Sequence, residues 1–330
     1  MNLFKSIFQS SRFVNHRLTL KKRFLQYPFL LASLSVTGML LTLRQVGGLD
    51  SWEVGMYDYL TRRQHYSGQE ARILVVEITE EDIREQNQAI MSDRTIAQTI
   101  KSLQVHGPTV IGLDIFRDIP EPPGHDLLKQ ELGASNVIVI NELGDLSTSM
   151  IPAPDYVDQE RVGFNDFVLD TDDILRRYLI YASLGQESFY SFSLRLSLKY
   201  LEKHQPQDEF VVRPQYLKIG ATVFPRLNSE AGGYHLIDAS GYQSMIRYQL
   251  HDRIMRKISL TEVLNGDVDP EWVTDKVVLI GTTARTSKDY FSTPYSANLY
   301  GSPTEHKLAG VLVHAQLTHQ ILSAVLDQSS

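Results

Sequence analysis

ARILVVEIT (71–79), SDRTIAQTIKSLQVHG (92–107) and PTVIGLDIF (108–116) are the stretches on which the fold turns. The first and third are short, continuous and branched, the mark of strands buried on both faces. The second places Ile96, Ile100 and Leu103 at helical spacing, with Ser92 or Asp93 as N-cap and Gly107 as stop. GHDLLKQELGA (124–134) adds a short helix and NVIVINEL (136–143) a third strand. This β-α-β-α-β order predicts an α/β fold with a mostly parallel central sheet and helices on its faces.

Working toward the C-terminus, the middle is less regular. VGFNDFVLDTDDILRRYLIYAS (162–183) predicts two strands joined by an acidic turn, and SFYSFSLRLSLKYLEKH (188–204) a helix. EFVVRPQYLKIGATVFPRL (209–227) reads as a hairpin turning near Gly220, and YQSMIRYQ (242–249) as a further strand. These form a middle insert containing antiparallel strands. ISLTEVLNG (258–266) is a helix capped by Ser259 and stopped by Gly266. KVVLIG (276–281) is the last buried strand, and LAGVLVHAQLTHQILSAVLD (308–327) a closing helix.

Toward the N-terminus the charge changes character. No acidic residue precedes Asp50, whereas seven basic ones do: Lys5, Arg12, Arg17, Lys21, Lys22, Arg23 and Arg44. The remaining 25 basic residues face 39 acidic ones, a net of −14, which argues against nucleic acid as a partner. FLLASLSVTGMLLTL (29–43) is uncharged and spans roughly 22 Å as a helix. Phe24–Tyr27 and snorkelling Lys22, Arg23 and Arg44 extend it toward the bilayer thickness. A cleaved signal peptide or a buried core helix shares this layout. The late start of the apolar run and the lack of an A-x-A-like site favour one N-terminal transmembrane helix. The expected organisation is a basic cytoplasmic tail over 1–23, an anchor over 24–46 and an extracytoplasmic body over 47–327. GGLDSWEVGMYDYLTRRQ (47–64) then reads as a juxtamembrane helix.

Few chemistries survive. Zero cysteines exclude disulfides and thiol catalysis. GTTART (281–286) has one glycine and no following Gly-Lys, so a tight turn is favoured over a phosphate loop. Glu77, Asp114 and Asp289 stand near strand ends, where ligands collect on parallel sheets. Asp114, inside an apolar strand, needs a partner or a cleft, and Arg94 or the Arg176–Arg177 pair could supply the partner. A metal held by Asp114 and Asp289 would make a hydrolase, but no zinc-type histidine spacing is present. His314, flanked by apolar residues, reads as a core histidine. Neither a GxSxG elbow nor a kinase motif occurs.

Taken together, RILVVEIT, DRTIAQTIKSL, VIGLDIFRDIPEPPGHD, VGFNDFVLDTDDILRR, SMIRYQ and KVVLIGTTARTSKDYFSTPY…GVLVHAQ resemble the type-two CHASE domain. CHASE stands for cyclases/histidine kinases associated sensory extracellular. The resemblance covers roughly residues 45–327, and PPGHD and DYFSTPY are most similar to cyanobacterial members. It implies a sensory input domain without catalytic residues, cofactor or metal. Such domains are followed by about three membrane helices and a kinase or nucleotide cyclase output. This sequence stops at LSAVLDQSS, where the first of those helices would begin. The family pattern also implies glycine where Asp173 stands. Its matched polar positions are Arg94, Asp114, Arg177, Thr282, Asp289 and His314, which become the candidate ligand-binding set. Expected partners are the membrane, an unidentified small-molecule or physical stimulus, and a second copy of the chain as a homodimer. A structural, partner-binding membrane protein is the alternative class.

Overall fold

The structure, a computed structural model, describes residues 28–63, 72–144, 150–185, 187–249, 254–296 and 307–327. The tail over 1–23 and the start of the anchor, 24–27, lie outside the described residues. The chain divides into two compact units. One comprises the N-terminal residues through Met56 with Ser229–Ile237, the other Tyr57–Asn228 with Asp238–Ser330.

In chain order the elements begin with helices α1 (Pro28–Gln45) and α2 (Asp50–Arg63), then β1 (Ile73–Ile78), α3 (Glu80–Gln86), α4 (Asp93–Gln104) and β2 (Val110–Asp114). There follow α5 (His125–Leu132), β3 (Val137–Asn141), β4 (Val162–Phe164), β5 (Arg177–Leu184), β6 (Glu187–Tyr190) and α6 (Phe192–His204). The insert continues with β7 (Phe210–Val212), β8 (Tyr216–Ile219), β9 (Thr222–Pro225) and β10 (Tyr242–Met245). The chain closes with β11 (Met255–Ser259), α7 (Leu260–Asn265), α8 (Pro270–Val273), β12 (Val277–Thr282), β13 (Tyr290–Phe291), β14 (Leu308–Ala309) and α9 (Gly310–Leu326).

In the larger unit a six-stranded sheet runs in the order β11-β1-β12-β2-β3-β4, and every pairing in it is parallel. Alternation along β1 explains its two-sided burial. Leu74 and Val76 pack with apolar residues of α4, α5, α7 and α8, while Ile73 and Val75 pack with those of α6, α9 and the insert. The result is three layers around one sheet. Local signals agree with this. Ser92 Oγ accepts from Thr95 N at 3.3 Å, Ser259 and Glu262 form a capping box, and Gly266 ends α7 at φ +84°.

Several expectations are corrected. β4 and β5 both exist, but β4 edges the central sheet while β5 joins β10 and β6 in an antiparallel sheet. The acidic turn therefore links two sheets. The helix expected from 188 starts at Phe192, because Glu187–Tyr190 pairs with β5 and Ser191 caps the helix. The hairpin over 209–227 is a three-stranded meander, β7-β8-β9, with Gly220 between the last two. α3, α8 and the edge strand β11 were not foreseen. β11 reads MRKIS, with Met255 and Ile258 buried, Arg256 partly buried over the Trp272 ring and Lys257 exposed, and charged residues of this kind protect sheet edges.

In the smaller unit, α1 exposes apolar side chains along its length, among them Phe29, Leu34, Met39 and Leu41. Gly47, at φ +73°, sits in the turn that follows, where Gly48 N donates to Leu43 O at 2.8 Å. No single helix among the described residues is long and apolar enough to cross a membrane. α1 and α2 pass the length and composition test as a pair bent by 85°.

Candidate functional site

Strand β1 is followed by helices on one face of the sheet, whereas its neighbour β12 leads to α9 on the other. Chains diverging from adjacent parallel strands open a crevice at their C-terminal ends. A cavity of about 650 Å³ lies there. Ile78, Thr282, Asp114 and Ile140, from the ends of β1, β12, β2 and β3, form part of its floor, with Glu80, Met91, Phe116, Arg117 and Asp289 among its walls.

Three of the six candidate residues, Asp114, Thr282 and Asp289, line this cavity. His314 stands behind it, its Nε2 3.9 Å from Asp114 Oδ1. The other two are elsewhere. Arg94 is exposed on α4, and its backbone lies against Gly124, whose φ of +106° and closeness to Arg94 leave no room for a Cβ. Arg177 is buried in the insert, donating to Asp170 Oδ1 at 2.7 Å and to Gln243 Oε1 at 2.7 Å. Neither arginine partners Asp114, and Arg176 is taken by Asp58, Asp170 and Asp172. The cleft, rather than an arginine, is what accommodates Asp114.

Asp114 is the unusual member. Its side chain is 6% exposed and it makes no described hydrogen bond, with His314 beyond hydrogen-bonding reach. Burial, and then the neighbouring Asp289, hold its carboxyl well above the usual carboxylate range. Asp289 is raised as well by burial, opposed by the Gly310 N–H. Its carboxylate occupies the space that a Cβ on Gly310 would take, against the first residue of α9. No side chain on α9's own N-cap residue, Ala309, does this work, so Asp289 supplies negative charge where a helix N-terminus favours it. Burial drops His314 to about 3, so it is neutral, stacked on Phe167 at 4.6 Å and edge-on to Phe192 at 5.2 Å.

The Gly-Thr-Thr turn makes several structural contacts. Thr283 N donates to Ile78 O at 2.9 Å, and Thr282 Oγ1 accepts from Ala284 N at 3.3 Å. A Cβ on Gly281 would stand 2.7 Å from Val311. That glycine is therefore needed for the close approach of α9 to the sheet. Among the described residues no group of three His, Cys, Asp or Glu could hold a metal ion.

Sequence reasoning missed Arg117 and Glu80. Arg117 Nε lies 3.1 Å from the fully buried Asp93, and its Nη atoms donate to Phe116 O at 2.8 Å and Met91 O at 2.7 Å. It follows Asp114 by three residues in GLDIFRD, so an arginine just beyond a strand end was the available signal. Glu80 opens α3, an element the sequence reading did not contain.

The body is a three-layer α/β domain with its cavity at the carboxyl edge of the parallel sheet, the position where α/β folds commonly place small-molecule sites. A family model for the CHASE2 domain matches residues 34–330, and the chain belongs to that family. CHASE2 domains are extracytoplasmic sensory domains rather than catalytic ones. No curated protein and no solved structure matches the chain.

Proposed function

We propose that this chain is the sensing portion of a membrane-anchored signal-transduction receptor, held to the cytoplasmic membrane by its N-terminal helix with the body outside. The stimulus acts at the cavity over Asp114, and its occupancy is passed to a kinase or nucleotide cyclase output through α9. One observation carries this reading: the cavity wall and the first turn of α9 are the same structure, since Asp289 lines one and packs on Gly310 of the other.

The path continues along α9. Gln316 Nε2 donates to Arg247 O at 3.0 Å and Gln320 Nε2 to Met245 O at 3.0 Å. Tyr57 OH of α2 donates to Ile246 O at 2.9 Å, in the same short segment. A ligand that prefers one setting of α9 therefore shifts the setting of α2 as well, by linkage. The test is a fusion of the full chain, through a membrane-helix segment, to an adenylate cyclase catalytic domain in cells lacking their own cyclase. Ala89 is an exposed residue of the cavity lining, and Ala89→Trp, which adds an indole at that position, is expected to shift cyclic-AMP output several-fold in either direction. Val105→Trp, on the exposed end of α4, is expected to leave it unchanged. Output indifferent to both substitutions overturns the reading.

A further inference from the structure

With the cavity as the sensing site, its chemistry narrows the stimulus, and the ligand class inferred for it rests on that functional reading. The walls are largely apolar, with Ile78, Ile83, Met91, Ile115 and Phe116 prominent among them. Into this surface projects a carboxyl group that is more than nine-tenths buried and has no described hydrogen-bond partner, that of Asp114. Asp289 and Glu80 add two further carboxyl groups. Arg117 is the one cation among the described lining residues. It is already matched by Asp93, and its Nη atoms are spent on backbone carbonyls.

Each ligand class can be weighed against these groups. An anion would have to enter beside two closely placed carboxyl groups with no uncommitted lining cation to receive it. The three carboxyl groups do not come together as a metal-holding group among the described residues, and the largely apolar wall offers little to a hydrated ion. A neutral apolar molecule would leave Asp114 as unpartnered as it is in the empty cavity. An ammonium group on an apolar body satisfies both features at once, charge against carboxylate and hydrocarbon against isoleucine, methionine and phenylalanine. We propose that the cavity is a receptor site for a small organic cation, a protonated amine with an apolar body, its nitrogen seated on Asp114 beside Asp289. The volume of about 650 Å³ lies within the range of small-molecule sites.

Binding would be coupled to protons. The groups that share the cavity with Asp114, or face it, are Asp289 from the loop before β13, Glu80 from α3, Arg117 from the loop after β2 and His314 from α9. Asp114 is raised in the empty cavity, and an ammonium ion favours its ionised form. The complex therefore releases a proton, and affinity rises with pH until Asp114 is ionised without ligand.

The experiment is calorimetric titration of the purified full chain in detergent with butyl-, pentyl- and hexylammonium, and with hexanol and hexanoate as matched neutral and anionic probes. The alkylammonium ions are expected to bind about three- to fourfold more tightly per added methylene and more tightly at pH 8 than at pH 5.5. Hexanol and hexanoate are expected not to bind. Asp114→Asn is expected to weaken hexylammonium at least tenfold while keeping the thermal midpoint. Hexanol binding as well as hexylammonium, hexanoate binding better than either, or affinity flat or falling with pH each overturns the proposal, as does full binding by Asp114→Asn. The length and pH series on the native chain decide the matter if that variant does not fold. Because binding is read without any output domain, failure here and failure of the cyclase fusion are separate results.

Discussion

At the scale of single residues, the fold concentrates its charge risk at Arg176, whose side chain is 2% exposed. It donates to Asp58 Oδ1 from Nε at 2.7 Å and to Asp58 Oδ2 from Nη2 at 2.8 Å. Asp170 and Asp172 complete its shell, each at 2.8 Å. The turn holding those two acids needs a left-handed residue, and Asp173 takes it at φ +59°. The family pattern's glycine is thus replaced by a residue that tolerates that geometry better than most. Truncating a buried partner strands the other charge. Asp58→Ala is expected to cost about 3–5 kcal/mol in urea unfolding. Asp172, half exposed, is expected to cost under about 1 kcal/mol when changed to Ala. Equal costs would mean that burial does not set the strength of these pairs. His314 gives a pH prediction. Its folded value, about 3, lies below the ordinary 6.5, so the stability it permits is complete above 6.5 and is lost as pH falls toward 3. His319, at about 4, acts in the same direction, whereas the raised acids Asp114 and Asp289 favour the folded state on acidification. Between pH 7 and pH 5, His314→Phe should therefore lose about 2 kcal/mol less than the native chain. Parallel losses in melts at the two pH values would count against a neutral buried His314.

At the scale of elements, α9 is the piece on which the site depends, and its first residue has no spare room. A Cβ on Gly310 would stand 2.2 Å from Asp289 Oδ2. Gly310→Ala is expected to push Asp289 and its loop off the helix end at a cost of about 1–3 kcal/mol. Faster amide exchange over 285–291, with little change in β1–β3, is the accompanying readout, and unchanged exchange in that loop would show that Asp289 does not hold the helix. Much of this layer was legible. The branched runs of β1, β2, β3 and β12 announce buried strands, and Ser92, Ser259 and Gly266 mark helix ends through chemistry local to a few residues. What could not be read is order across the sheet. β12 lies between β1 and β2 although nearly all of the body separates it from both, and no local pattern encodes a neighbour that distant. β11 stayed hidden because an edge strand carries charge where a central one carries isoleucine. The site was half legible for the same reason. Asp114, Thr282 and Asp289 stand at or just beyond strand ends, which periodicity locates, whereas the separation of Arg94 and Arg177 from them depends on which face and which sheet each element joins.

At the scale of the whole molecule, the question is which side of the membrane holds the body. α1 exposes Phe29, Leu34, Val36, Met39 and Leu41, a surface whose natural partner is hydrocarbon rather than water. Its length alone falls short of a comfortable crossing, so a crossing would need flanking residues to contribute. Charge then orients it. Lys5, Arg12, Arg17, Lys21, Lys22 and Arg23 precede the apolar run, whereas Asp50 and Glu53 follow soon after it. If α1 anchors the chain as proposed, its basic flank is retained on the cytoplasmic side, and Val105 and the rest of the body are expected outside. The chain's lack of cysteine makes this directly measurable, since any introduced thiol is the chain's sole one. Val105→Cys, at a position 80% exposed on the end of α4, is expected to react with a membrane-impermeant maleimide once the outer barrier is opened and the cytoplasmic membrane is intact. Ser10→Cys is expected to react only after that membrane is permeabilised. The reverse pattern would place the sensory body in the cytoplasm, and labelling of both in intact spheroplasts would mean that the apolar helix does not cross. Either result would remove the basis for signalling outward-to-inward through α2 and α9 while leaving the cavity and its amine chemistry to be judged by binding alone.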